Sequence, residues 1–160
     1  MVTQQSVSWV LLSYRIPREP STPRIAVWRK LKDLGVGQVG DGLVALPSDA
    51  RTKEQLEWVA AAVIEANGEA IVWTATTARR ESEALATDMR SARTAEYQAL
   101  LDDIGADHDP ARRTLQRWRR EWRRIDRRDH FRADLRDDCR LAIAAVAQLL
   151  DVQAPEGARA

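Results

Sequence analysis

From Arg112 to Arg128 the chain reads R-R-T-L-Q-R-W-R-R-E-W-R-R-I-D-R-R, a segment in which two tryptophans are embedded among nine arginines. At about 100° per residue, Leu115, Trp118, Trp122 and Ile125 share one helical face. Arg113, Arg117, Arg120, Arg124 and Arg127 fall on the opposite face, four, three, four and three residues apart. Guanidinium groups offer a planar fork of donors that matches phosphate, carboxylate and other oxyanions. The expected arrangement is an apolar aromatic seam packed inward and a cationic stripe turned to an anion. That anion has two possible sources. The acidic runs on either side, Asp102 to Asp109 and Asp134 to Asp138, could fold back and pair with the stripe. An external ligand, DNA phosphate or a free oxyanion, is the other.

Glu96 belongs to the same question. It falls within an apolar face between Ala92 and Ala99, where a carboxylate is costly unless paired. Arg119 or Arg123 is the expected partner, and contact with water through a half-covered face is the alternative. A second basic group comprises Arg15, Arg18, Arg24 and Arg29, with Lys30, around the start of the first helix. Backbone N–H groups at a helix start also favour anions, although a plain solvated rim would look the same.

Signals for catalysis or metal binding are weak. His108 and His130 lie in different turns, neither with a second ligand at helical spacing. Cys139 sits on the apolar side of the last helix, as a buried structural thiol does. The glycines at 35, 37, 40 and 42 lack the strand-turn-helix context of a phosphate loop. The sequence therefore predicts no catalytic residues, no metal, no cofactor and no enzymatic activity.

Two groups of elements must carry these residues. In the first half, Ser8–Tyr14 reads as a strand ended by Pro17 and Pro20. Thr22-Pro23 reads as a helix start, with Ile25, Trp28 and Leu31 as its buried face, Leu34 close by, and Gly35 as its stop. Val36–Val39 and Leu43–Leu46 flank the turn Gly40-Asp41-Gly42 as a hairpin. Thr52 with Gln55 suggests a capping box for a helix burying Leu56, Val59, Ala60, Val63 and Ile64, closed by Asn67-Gly68. Ala70–Thr76 is the last strand. The order β-α-β-β-α-β predicts an α+β, ferredoxin-like antiparallel sheet over residues 7–77. Trp9, Trp28, Trp58 and Trp73 are expected in its core or at an interface.

Residues 79–152 predict a helical hairpin or three-helix extension. Its helices are Arg79–Asp103 (Leu85, Met89, Ala92, Ala99 and Leu100 inward), the arginine helix, and about Ala133–Leu150 (Leu135, Cys139, Ala142, Val146 and Leu149 inward). Pro155 and Gly157 mark a tail.

The totals agree with a globular protein of 160 residues, 44% hydrophobic, with net charge +1. That near-zero sum hides nine arginines against Glu121 and Asp126 in residues 112–128, a local +7. No apolar run approaches the roughly 20 residues of a membrane span. The polar start Met1–Ser8 is unlike a secretory leader, and one cysteine gives no internal disulfide. A cytoplasmic location is expected.

The run W-V-L-L-S-Y-R-I-P-R-E-P-S-T-P-R-I-A-V-W-R-K-L-K-D-L-G from Trp9, then D-G-L-V-A-L-P and E-Q-L-E-W, resembles the N-terminal domain of ChrB, the chromate-resistance regulatory protein. I-D-R-R-D-H-F at 125–131 resembles that domain's I-x-x-R-D-F-F segment, with His130 in place of the first phenylalanine. The resemblance runs from about Ser8 to Leu150. It implies a regulator encoded with a chromate efflux pump, binding the DNA upstream of its own operon and responding to chromate or another oxyanion. A homodimer without membrane contact is expected. Long members carry a further C-terminal domain to which nothing in these 160 residues corresponds. An oxyanion sensor or interaction module that acts through a partner protein remains the other reading. The sheet half is more distantly similar to the middle domain of the repressor PaaX and to the small CRISPR-adaptation nuclease subunit. That nuclease has a metal-binding aspartate after the first strand's tyrosine, where Tyr14 is here followed by Arg15.

Overall fold

The computed structural model describes residues 7–152. The first six residues of the polar start and the tail at Pro155 and Gly157 lie outside them. The elements are β1 (Trp9–Arg15), α1 (Ser21–Leu34), β2 (Gly37–Gly40), β3 (Leu43–Pro47), α2 (Ala50–Glu65), β4 (Glu69–Ala75), α3 (Arg79–Ala106), α4 (Arg112–Asp126) and α5 (Arg136–Val152). The chain divides into two compact units, residues up to Met89 and residues from Arg90, so the division falls within α3.

The first unit is an antiparallel sheet in the order β2-β3-β1-β4. Its register pairs Val10 with Leu46 and Leu12 with Val44, which places these four on one face by the two-residue alternation of a strand. All four are buried, as are Leu56, Val59 and Val63 of α2 and Val27, Leu31 and Leu34 of α1. α2 packs on β1 and β4, and α1 packs on α2. The opposite face carries Trp9, Leu11, Ala45 and Gly37. The first turns of α3 reach it: Trp9 Nε1 donates to Ser82 Oγ at 2.9 Å. A Cβ on Gly37 would lie 2.7 Å from Leu85 Cδ1 and 2.9 Å from Met89 Sδ, so a larger residue there would displace the ends of these two side chains.

Several expectations are corrected here. α1 starts at Ser21 after Pro20, without a side-chain cap, rather than at a Thr22 cap. Its inward residues are Val27, Leu31 and Leu34, while Ile25 and Trp28 (57% exposed) face solvent. Both triads fit a helical period, and the position of the helix in the tertiary structure chooses between them. The capping box lies three residues earlier than Thr52–Gln55. Asp49 accepts from the Thr52 amide at 2.7 Å, and Thr52 Oγ1 accepts from the Asp49 amide at 3.0 Å. Asp caps well, and Thr at the third helical position also donates to Pro47 O at 2.6 Å. The hydrogen bond from the Thr52 N–H, above all, holds the Asp49 carboxyl below its ordinary value. Ile64, Trp58 and Trp73 are exposed rather than core, leaving Trp9 as the buried tryptophan of this unit.

In the second unit, Tyr97, Leu100 and Ile104 of α3, Leu115, Trp118 and Ile125 of α4, and Cys139 and Ile143 of α5 form one core with Ala133. Along the whole of α3 the buried positions are Ser82, Ala86, Met89, Tyr97, Leu100 and Ile104, so Ala92 and Ala99 face outward. A small alanine side chain loses little by exposure, and the stripe follows the larger residues. α5 begins at Arg136 because Leu135 is left-handed at φ 66°. Leu149 is exposed, and Leu150 packs against the core instead.

Candidate functional site

The outer face of α4 is positioned by its inner one. Trp118 is fully buried and its Nε1 donates to Asp103 Oδ2 at 2.6 Å. Trp122 Nε1 donates to Arg136 O at 3.2 Å, and the Arg136 guanidinium lies 5.3 Å from its ring centroid. With both indole N–H groups satisfied and Leu115 and Ile125 buried, the rotation of α4 about its axis is fixed. Arg113, Arg117, Arg120, Arg124 and Arg127 then all lie exposed, as their spacing requires.

Acidic residues meet α4 mainly along its flanks. On the α3 side, Arg117 pairs with Asp103 at 2.9 Å and Arg128 with Glu96 at 2.7 Å. On the α5 side, Arg112 pairs with Asp151 at 3.1 Å and Asp126 with Arg136 at 2.6 Å. Within α4, Arg124 reaches Glu121 at 2.9 Å. Of the five stripe arginines, Arg113, Arg120 and Arg127 make no ion pair among the described residues. They are seven residues apart, about 10.5 Å per step along the axis.

The partner of Glu96 is corrected. It is held by Arg128, through both oxygens at 3.4 and 2.7 Å, and by Arg93 at 2.9 Å, not by Arg119 or Arg123. The reason is angular: Arg119 and Arg123 leave α4 on its α5 side, whereas Arg117 and Arg128 turn toward α3. Arg128 is 6% exposed. Burial pushes its guanidinium down from its ordinary value, and neighbouring Glu96 pushes it back up. Arg93 Nε is buried without a hydrogen-bond partner.

The I-D-R-R-D-H-F segment is the joint that fixes this geometry. Ile125 is core, Asp126 holds Arg136, Arg128 holds Glu96, and Asp129 accepts from the Ala133 amide at 3.0 and 2.9 Å. Burial and the Asp129 charge raise the Tyr97 hydroxyl, whose OH points at Asp129 across a long 3.5 Å. Phe131 O accepts from Arg90 Nε at 3.5 Å. Sequence reasoning missed Arg93, Asp129 and Arg136 in these roles. The two aspartates that bracket Arg127-Arg128 were an available signal for Asp129.

In the sheet unit Arg15 ends β1, Arg18 lies in the loop that follows, and Arg24 and Arg29 lie on α1. All four are exposed. Arg24 lines a cleft of 560 Å³ with Tyr14, Ile16, Ile25, Trp28, Asp41 and Gly42. Burial raises the Tyr14 hydroxyl there. This set and the α4 stripe belong to different units. Cys139 is buried in the second core, which pushes its thiol up to about 11. No group of three or more His, Cys, Asp or Glu is placed to hold a metal ion among the described residues. No described helix is long and apolar enough to cross a membrane.

The family model described as protein ChrB, N-terminal, matches residues 24–110, more than half of the chain. The match ends just before Arg112, so α4 lies beyond it. No curated protein and no solved structure matches the chain.

Proposed function

We propose that this chain, which belongs to the ChrB N-terminal family and shares its association with chromate resistance, is a non-enzymatic transcription regulator. It binds the DNA upstream of its own operon through α4 and releases it when chromate is present. The observation that carries this reading is the set Arg113, Arg120 and Arg127: exposed, without carboxylate partners among the described residues, and held on a helix of fixed rotation. Duplex DNA presents about one charge per 1.7 Å of axis, so three cations on one helix edge fit its backbone without demanding a base sequence. The sheet unit reads as ferredoxin-like, since its β-α-β-β-α-β order comes with β1 and β3 central and β2 and β4 at the edges. A cytoplasmic homodimer is the expected form, and the exposed Ile71 and Trp73 of β4 give a second copy an apolar surface to cover.

Fluorescence anisotropy of the upstream DNA, titrated with protein with and without chromate, tests the reading. Binding tighter than to random DNA, released by chromate, is the expected result. Replacing Arg113, Arg120 and Arg127 by Ala should flatten the log K against log salt slope by about 2.7, from about 0.9 per phosphate contact. Equal binding to random DNA would remove the operator-specific regulator, and an unchanged salt slope in the triple variant would remove the role of α4.

A second reading, an oxyanion sensor that acts through a partner protein without binding DNA, is favoured by the unpartnered Arg93 Nε beside the buried Arg128 guanidinium. Two guanidiniums share one carboxylate there, which leaves a positive excess. Calorimetry with chromate and with sulfate separates the readings, because heat from chromate in a protein indifferent to DNA supports the sensor.

A further inference from the structure

The α5-facing flank of α4 carries a cleft that the DNA reading does not use. Arg119, Trp122 and Arg123 of α4 and Arg140, Ile143 and Ala144 of α5 line a cavity of 300 Å³. Three of these six residues are guanidinium-bearing. Arg119 and Arg123 make no ion pair among the described residues, and the nearest carboxylate to Arg140 is Asp137 at 3.7 Å. That carboxylate is already shared with Arg132 at 3.3 Å and Arg136 at 3.1 Å, so the cleft keeps a strong positive excess.

The other half of the lining is apolar and cannot hydrogen-bond. Ile143 is buried, Ala144 has no polar group, and the one N–H of Trp122 is committed to Arg136 O. A sugar or a peptide backbone placed on this floor would leave polar groups unsatisfied. A bare inorganic oxyanion would leave the apolar floor uncovered. The volume lies at the small end of ligand cavities, which run from roughly 300 to 1,000 Å³, too small for a docked helix.

We propose that this cleft binds a small organic anion, a carboxylate carried on an apolar body. The body covers Trp122, Ile143 and Ala144, and the carboxylate takes charge-assisted hydrogen bonds from Arg119 and Arg123, with Arg140 closing the far side. Such a ligand would sit on the seam between α4 and α5 and would add contacts to both. The inference is independent of whether α4 binds DNA.

Isothermal titration calorimetry of the intact chain, with no DNA present, tests it. The probes are 2-naphthoate, the neutral 2-naphthylmethanol and sodium sulfate. Naphthoate should bind saturably and at least about tenfold more tightly than the alcohol, the difference expected of one hydrogen-bonded charge. Arg119→Gln and Arg123→Gln should remove most of that preference and leave the alcohol unaffected. Ala144→Phe keeps every charge and fills the cleft, so it should abolish binding of both. Circular dichroism melts establish that each variant is folded. No heat from naphthoate overturns the proposal, as does equal affinity for acid and alcohol. Sulfate binding as tight as naphthoate would mean a surface open to any anion. Naphthoate binding unchanged in Ala144→Phe would place the site elsewhere. Either result overturns the assignment.

Discussion

Glu96→Gln should destabilise the helical unit more than removal of either arginine that holds Glu96. The substitution keeps the shape and one acceptor oxygen but deletes the charge between Arg93 and Arg128. Arg128 is 6% exposed and takes both Glu96 oxygens, so it would be left as a buried cation facing a second one. Breaking a fully buried pair from one side costs about 3–5 kcal/mol. The Glu96 side chain is 32% exposed, which admits water and reduces the expected cost to about 2–3 kcal/mol. At about 2–4 °C per kcal/mol for a chain of this size, the corresponding loss in Tm is about 4–12 °C. Arg128→Met behaves differently. It removes the buried charge, fills a similar volume, and leaves Glu96 paired with Arg93 at 2.9 Å. Its cost should stay near 1 kcal/mol, mostly the lost bond from Arg128 Nε to Arg124 O at 3.1 Å. Urea titrations followed by circular dichroism at 222 nm measure both, and the pair Glu96→Gln with Arg128→Met should be milder than the sum of the singles. An Arg128→Met variant that loses as much stability as Glu96→Gln would refute the reasoning, because the cost would then come from lost packing rather than from a stranded charge.

Asp49→Ala should cost about 1 kcal/mol at neutral pH, a typical helix N-cap loss. The folded carboxyl is held below its ordinary 3.8 by the Thr52 amide. Its contribution is therefore present above 3.8 and disappears as pH falls through the lower folded value, so urea midpoints of wild type and variant should differ at pH 7 and converge in acid. Gly68→Ala would place a Cβ 2.5 Å from Arg15 O and 2.8 Å from Val63 O. Both obstacles are backbone, so the expected loss is about 1–3 kcal/mol, and an unchanged melting temperature would mean that the β1–β4 edge is more pliable than its packing implies.

Sequence legibility varied with how unequal the competing faces were. α4 was readable because leucine, isoleucine and two tryptophans stand opposite arginines, so a single rotation satisfies the hydrophobic effect. α1 was not, because Ile25-Trp28-Leu31 and Val27-Leu31-Leu34 are both apolar and both helical in spacing. Only docking in the tertiary structure decides between them, and it leaves Ile25 and Trp28 to line an open cleft. α3 was readable in part: Met89 and Leu100 are buried as expected, whereas Ala92 and Ala99 are weakly hydrophobic and yield to Ala86 and Tyr97. The partner of Glu96 depended on which side of α4 faces α3, which periodicity within one helix does not contain. The four-stranded antiparallel sheet and the start of α2 were within reach, although the cap was set by Asp49 rather than by Thr52, since two good capping residues stood three apart.

The division of charge around α4 bears on what the stripe is for. Packing five arginine pairs at i,i+4 on one helix costs about 1–2.5 kcal/mol in all. Burial of each of Leu115, Trp118 and Ile125 returns roughly 1.5–3 kcal/mol, so the helix forms without any anion at its outer face. Acids meet the arginines along the flanks of α4, at Asp103, Glu96 and Asp151, and of these arginines only Arg128 is buried, while Asp126 meets the mostly buried Arg136. The outermost residues Arg113, Arg120 and Arg127 received none. Their charges enter no ion pair among the described residues, and repulsion from Arg117, Arg124 and Arg123, four residues away, slightly opposes the helix. Substituting them should therefore leave stability level or marginally higher, and any loss of binding in the triple variant reports contact with a ligand rather than damage to the helix.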